Sequence, residues 1–277
     1  MENTDVIVVG SGLAGLVVTL DLVDTSSLRI TVLEKDAKLG LGNSIKASSG
    51  INCAASKEDV ATFRQDTITS AGKAVQPTLI EPLIEGSMEA IEWLCQRLNV
   101  DLNSTAQLGG HRAERTHRPS GKLPVGAEIM GKLRKAVEEG AGDRVTVVTN
   151  AKVQKLVSDG AGTVTGVDYE NTETKEICRI MANHVVLATG GYAANRDLVK
   201  KHRPELANFP ATQGPFSTGD GLLLGQDVEA ACVDLEKIQV HPTGFVDPKD
   251  PDNPNKFLCA EVLRGVGGIL VSPQGKR

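Results

Sequence analysis

The feature that most limits how this chain can fold lies at its start. Val6-Ile7-Val8-Val9, a short continuous apolar run rich in β-branched residues, leads straight into Gly10-Ser11-Gly12-Leu13-Ala14-Gly15. A run of that kind suits a parallel strand buried on both faces. Leu16–Val23 continues at helical spacing, and Arg29–Leu33 reads as a second strand ending at Glu34-Lys35. Together these make one βαβ unit with a G-x-G-x-x-G turn in the context that turn requires. The first glycine permits the tight turn, the second lets backbone approach a pyrophosphate, and the third lets helix pack on strand. The helix N-terminus adds free N–H groups and the positive end of its dipole. Glu34, 24 residues after Gly10, can accept hydrogen bonds from the ribose hydroxyls of an adenosine and disfavours a 2′-phosphate. The fingerprint marks a dinucleotide site but does not separate FAD from NAD, so an NAD-dependent dehydrogenase stays open at this point.

Further along, Pro77–Leu98 reads as one long amphipathic helix and Ala127–Val137 as another. Gly40–Cys53 and Gln107–Val125 are rich in glycine and polar residues and read as loops. Val145–Val148, Ala151–Val157, Val164–Tyr169, Glu176–Met181 and His184–Ala188 read as strands, the last running into Thr189-Gly190-Gly191. Gly221–Ala231 reads as a helix, and residues 246–256, dense in Pro, Asp and Asn, as a loop. The expected fold class is therefore α/β: a Rossmann-like parallel sheet of the FAD-binding kind carrying a β insertion.

Composition excludes other classes. With 40% hydrophobic residues in 277 and a net charge of −5, the chain is not disordered. Three per cent aromatics and an acidic balance argue against nucleic-acid binding, and no run approaches a membrane span. Cys53, Cys95, Cys178, Cys232 and Cys259 are an odd, scattered set, which points to reduced thiols in a cytoplasmic or organelle-lumen setting, mitochondrial or peroxisome-like, and away from a metal site. No N-terminal targeting segment is seen.

Six ordered segments carry a resemblance. They are Gly42–Asn52; Gln107–His111 with Arg115–Arg118 and Ser120–Pro124; Ala188–Gly191; Thr218–Gly221; Gln239–Gly244; and Ala260–Gly265. Together they resemble the flavoprotein of the succinate dehydrogenase/fumarate reductase family, and in particular its soluble FAD-dependent fumarate reductases, over the N-terminal part. The resemblance implies FAD as cofactor. It assigns Gly10, Gly12, Ala14 and Gly15 to the pyrophosphate loop, Glu34 with its neighbour Lys35 to the adenosine side, and Asn43, Ser44, Ala47, Ser48, Ser49 and Gly50 to the flavin ring and ribityl chain. Val153 falls where backbone meets adenine, Thr189, Gly190 and Gly191 on the second dinucleotide turn, and Asp220 near the flavin phosphate.

Two departures stand out. Asn43 occupies the position where respiratory members carry a histidine bonded to the flavin, which implies non-covalent FAD. Leu41 interrupts a glycine pair.

The implied reaction is hydride transfer from flavin to fumarate, giving succinate, with an electron donor the sequence does not identify. His241 matches the histidine that holds a substrate carboxylate, and Glu261 and Arg264 match a proton relay. Without the resemblance, His241 reads as a turn histidine and Glu261/Arg264 as a surface i, i+3 pair. Arg115, Arg118 and Lys122 offer charge that could draw an anionic substrate. By resemblance, residues 1–235 form the FAD-binding domain without its C-terminal return, and 236–277 begin a capping domain whose general-acid arginine lies beyond Arg277. Reductases of other α,β-unsaturated acids, an L-aspartate oxidase and a non-catalytic FAD-binding fragment remain the alternatives.

Overall fold

The computed structural model describes residues 4–140, 142–259, 263 and 267–277. In chain order the first elements are β1 (Val6–Val9), α1 (Leu13–Thr25), β2 (Ile30–Leu33), β3 (Ile51–Asn52), α2 (Val60–Ala71), α3 (Pro77–Glu85), α4 (Ser87–Leu98), β4 (Ser104–Ala106) and β5 (Thr116–Arg118). There follow α5 (Val125–Gly140), β6 (Val145–Val148), β7 (Ala151–Ser158), β8 (Val164–Asn171), β9 (Ile177–Met181), β10 (His184–Leu187), α6 (Arg196–His202), α7 (Asp220–Gln226), β11 (Gly244–Phe245) and β12 (Phe257–Leu258). They divide into two compact units, Met1–Ser44 with Leu133–Leu258, and Ile45–Lys132 with Cys259–Arg277.

The first unit is built on a parallel sheet in the order β10-β1-β2-β6. β1 is central, with Val6 opposite both His184 and Ile30. Its four apolar side chains are all buried because both faces are covered. Val6, Val8, Ile30 and Val32 pack against Val18, Leu22 and Val23 of α1. Ile7, Val9 and Leu33 point the other way, onto Val153, Leu156, Val167, Tyr169 and Ile180. Those residues come from the antiparallel sheet β7-β8-β9, which is the expected β insertion. The α/β class with its parallel sheet is thus observed.

The second unit departs from the sequence reading in three places. The stretches read as loops contribute β3 and β5, which pair with β4 as a small antiparallel sheet. Strands of only two or three residues are too short to carry an alternating pattern. Gly50 beside this sheet has φ +143°, and a Cβ there would stand 2.3 Å from Thr116 Cγ2, so the position requires glycine.

The expected single helix 77–98 breaks at Gly86 into α3 and α4. Pro82 inside α3 has no N–H to offer the Thr78 carbonyl. Past the break, the Ser87 hydroxyl donates to Ile84 O at 2.8 Å and accepts the Ala54 N–H at 3.1 Å. Ile80 and Ile84 join Ala54 and Phe63 in the core, while Leu79 and Leu83, expected on the same face, are exposed.

Arg115 is the third correction. Its side chain is 0% exposed, so it is not a surface charge for steering substrate. The guanidinium takes Asp59 in a two-pronged grip, Nε–Oδ2 2.5 Å and Nη2–Oδ1 2.6 Å, and Asp66 through Nη1 at 2.5 Å. It lies 5.0 Å from the centre of the Phe63 ring. Arg112 Nε adds a second cation to Asp66 at 2.6 Å. Hydrogen bonds from Arg115 hold the Asp59 carboxyl below its ordinary range, and those from Arg115 and Arg112 bring Asp66 down to about 2.

None of the cysteines, all of them among the described residues, is in a disulfide. Burial pushes the Cys53 and Cys95 thiols up, as suits apolar packing groups. Among the described residues no helix is long and apolar enough to cross a membrane.

Candidate dinucleotide site

The glycine turn between β1 and α1 is built on close backbone contacts. Gly10 sits at φ +99°, where a Cβ would be 2.6 Å from Ala188 O, and a Cβ on Gly15 would be 1.9 Å from Gly10 O. Gly12 differs, because nothing lies within 4 Å of the point where its Cβ would stand. Gly12 is also the N-cap of α1 and supplies no side-chain cap, so the first-turn N–H groups are left for another partner. An uncapped helix N-terminus beside open space is suited to an anion.

Around this turn the first unit encloses a cavity of about 660 Å³, within the range of small-molecule sites. Twelve of the expected cofactor residues line it: Gly10, Gly12, Ala14, Glu34, Lys35, Asn43, Ser44, Val153, Thr189, Gly190, Gly191 and Asp220. Gly15 lies behind the turn as its packing contact. Ala47, Ser48, Ser49 and Gly50 fall in the second unit, where Ala47 O accepts the Gly126 N–H at 2.8 Å. His241 does not line the cavity. Its Nδ1 lies 2.8 Å from Thr243 O and 3.3 Å from Thr243 N, so the ring is tied to Thr243. Glu261 and Arg264 lie outside the described residues.

The lining side chains are held by bonds within the unit. Glu34 is 9% exposed. One carboxylate oxygen accepts both the N–H, at 2.9 Å, and the hydroxyl of Ser11, and the other accepts Asp36 N–H at 3.0 Å. Glu34 therefore braces the glycine turn, and Oε1 keeps a lone pair for a ligand hydroxyl. Lys35 Nζ donates to Asp220 Oδ2 at 2.7 Å and to Phe216 O and Thr218 Oγ1 at 2.8 Å. Burial works to raise the Asp220 carboxyl, but bonds from Lys35 and Thr218 together with the charges of Lys35 and Lys152 hold it below its ordinary value. Asn43 spends both ends of its amide on the same segment, Nδ2 on Ser217 Oγ at 2.6 Å and Oδ1 on Gly214 N–H at 2.9 Å. The second turn is anchored where Thr189 Oγ1 accepts Gly221 N–H at 2.9 Å.

Lys152, Gln213, Phe216, Ser217, Leu222 and Leu224 also line the cavity and were not expected from the sequence. Ser217 adjoins the Thr218-Gly219-Asp220-Gly221 motif and Lys152 adjoins Val153, so adjacency could have found them. Gln213 and Phe216 carry no local signal.

The residues fit a dinucleotide. Gly10 and Gly15 of the first turn leave no room for a side chain, Gly190 of the second has φ +75°, the α1 N-terminus has no side-chain cap, and an acid stands at the end of β2.

Comparisons with known proteins agree with this geometry. The chain is 43% identical to fumarate reductase 1 of Saccharomyces cerevisiae over 99% of its own length and 60% of the relative's. It is 38% identical to a fumarate reductase of Schizosaccharomyces pombe, over all of this chain and 56% of that one. The chain thus spans little more than half of these two curated relatives. The open conformation of a flavocytochrome c3 fumarate reductase superposes with a TM-score of 0.85 at 31% identity, over 100% of this chain and 48% of that chain. The model of the FAD binding domain matches residues 5–277. The chain belongs to the FAD binding domain family, with FAD as its cofactor.

Proposed function

We propose that this chain is part of an FAD-dependent reductase that converts fumarate to succinate. The observation that carries the reading is the 43% identity to a fumarate reductase across 99% of the chain, joined to a cavity lined by both dinucleotide turns. Bound FAD would supply the hydride. The chain's own part in the first unit is to hold the dinucleotide. The uncapped α1 terminus and Gly12 receive the diphosphate, Glu34 Oε1 a ribose hydroxyl, and the braced segment 214–220 closes one wall. By the resemblance, Ala47, Ser48, Ser49 and Gly50 are assigned to the flavin as well. Residues 1–235 are assigned to the FAD-binding domain and 236–277 to the start of a capping domain. There, His241 is assigned to hold a substrate carboxylate through a ring N–H, and Glu261 with Arg264 to relay protons. The electron donor is a separate partner or domain, and the compartment is cytoplasmic or an organelle lumen.

The test is reoxidation. Fumarate added to anaerobically reduced protein should restore the oxidised flavin spectrum, and His241→Ala should raise the fumarate concentration needed while leaving flavin content unchanged. Flavin that stays reduced would sink the reading. Relatives named urocanate reductase and NADH:acrylate oxidoreductase make other unsaturated acids the runner-up substrates, so reoxidation by one of those and not by fumarate would favour them.

We also propose that FAD is held without a covalent bond. Asn43 offers an amide, not a ring nitrogen, and both its ends are engaged with Ser217 and Gly214. Acid precipitation should release all the flavin into the supernatant, and flavin retained in the pellet would contradict this.

A further inference from the structure

Segment 213–220 is fastened at both ends by residues that follow β2. Asn43 grips it at Gly214 and Ser217, and Lys35 grips it at Phe216, Thr218 and Asp220. A loop held by five hydrogen bonds presents the side chain at its leading edge in a defined place. That side chain is Gln213, which lines the cavity.

Its carboxamide makes no hydrogen bond within the described residues. Oε1 is shut off from water with no partner. It lies 3.7 Å from the point where a side chain on Gly191 would begin, beside the second dinucleotide turn. Among the described residues, Gln213 is the one cavity-lining side chain that leaves a buried polar atom unpaired. Native structures rarely tolerate this, and where it occurs at a cavity wall the missing partner is commonly a ligand. Gly191 itself lines the cavity, so the unpaired acceptor Oε1 stands at the wall a ligand would occupy.

We infer that Gln213 is a cofactor-binding residue, its side-chain Oε1 accepting a hydrogen bond from a donor group of the bound FAD. The two grips on segment 213–220 make Asn43 and Lys35 its positioning residues. The absence of internal bonds also means that the fold does not depend on this amide. Gln213 is therefore held for binding and contributes little to the stability of the apoprotein.

The experiment measures FAD affinity on protein stripped of flavin, by quenching of flavin fluorescence. Gln213→Leu keeps the size and removes the amide, and it should weaken FAD binding roughly tenfold, the range of one well-placed hydrogen bond. Gln213→Glu keeps an acceptor oxygen at that place and should weaken it less than Gln213→Leu does. The thermal midpoint of both apoproteins should match wild type, whereas the extra stability conferred by FAD should fall with the affinity. Wild-type affinity in Gln213→Leu would overturn the inference. So would a loss in Gln213→Glu as large as in Gln213→Leu, which would make the contact a donor, and so would a lowered apoprotein midpoint with affinity unchanged, which would make Gln213 structural. If wild-type protein itself takes up no FAD, it is the cofactor assignment that fails, and the two results are distinct.

Discussion

Arg115→Met should destabilise the folded chain by about 3 kcal/mol at neutral pH, at the lower end of what breaking a buried ion pair costs. The magnitude follows from what is left behind. Asp59 and Asp66 are only 10% and 8% exposed, and both are paired with this one guanidinium. Without it they face each other in the protein with Arg112 on Asp66 as the remaining cation. The sign with pH can be worked out. In the native protein both carboxyls titrate below their ordinary value of 3.8, Asp66 at about 2. A depressed folded-state value means that the stabilisation is present above about pH 4 and is lost as pH falls toward 2. In the methionine variant the uncompensated carboxylates are penalised most at neutral pH, and protonation relieves them. The difference between the two proteins should therefore be large in denaturant titrations at pH 7 and small at pH 3. An equal loss at both values would mean that packing on Phe63, and not charge, sets the cost. Arg115→Lys, which keeps the charge and loses the two-pronged geometry, should fall between them.

Gly15→Ala should leave the protein without flavin. Its new Cβ would stand 1.9 Å from the carbonyl oxygen of Gly10, a backbone atom of the turn itself. Relief requires moving the turn off Ala188 or pushing α1 away from β1, and either change costs about 3 kcal/mol, the upper part of the range for overpacking. Gly12→Ala is the informative contrast. Gly12 has φ −66° and open space around its Cβ position, so alanine is compatible with the fold. That open space is where the diphosphate is expected, so Gly12→Ala should fold normally and bind FAD roughly tenfold more weakly. The flavin-to-protein absorbance ratio after gel filtration, read beside a thermal melt, separates the two. A Gly15→Ala protein that keeps its full flavin content would contradict the packing role given to that glycine.

The parts of the molecule legible in advance share one property, which is that their signal is local. Val6–Val9 is buried on both faces, and four consecutive apolar residues say so. Gly10, Gly12 and Gly15 fall at the spacing the turn requires, and Glu34 ends the next strand. The β insertion announces itself by runs of β-branched residues between turns. The failures are equally physical. Strands of two and three residues in the second unit gain their hydrogen bonds only from partners beyond their own segment, Asn52 from Thr116 for example. The helix read as continuous through residues 77–98 contains a proline whose missing donor was visible, yet the break falls four residues later, at Gly86, where Ser87 takes the carbonyl of Ile84.

By itself the sequence determined that a dinucleotide-binding βαβ unit must form at the N-terminus and which acid stands beside it, because strand burial, glycine geometry and helix onset are all settled within thirty-five residues. Only the tertiary structure decided what Asn43, Lys35, Arg115 and Gln213 do. Asn43 meets a partner 174 residues away and Lys35 one 185 residues away. Arg115 becomes a buried hub instead of a surface charge because Asp59 and Asp66 lie within 2.5 Å of its guanidinium. Residue type sets the valence of such groups, but the partner that satisfies it is chosen by chain folding, and no local pattern records that choice.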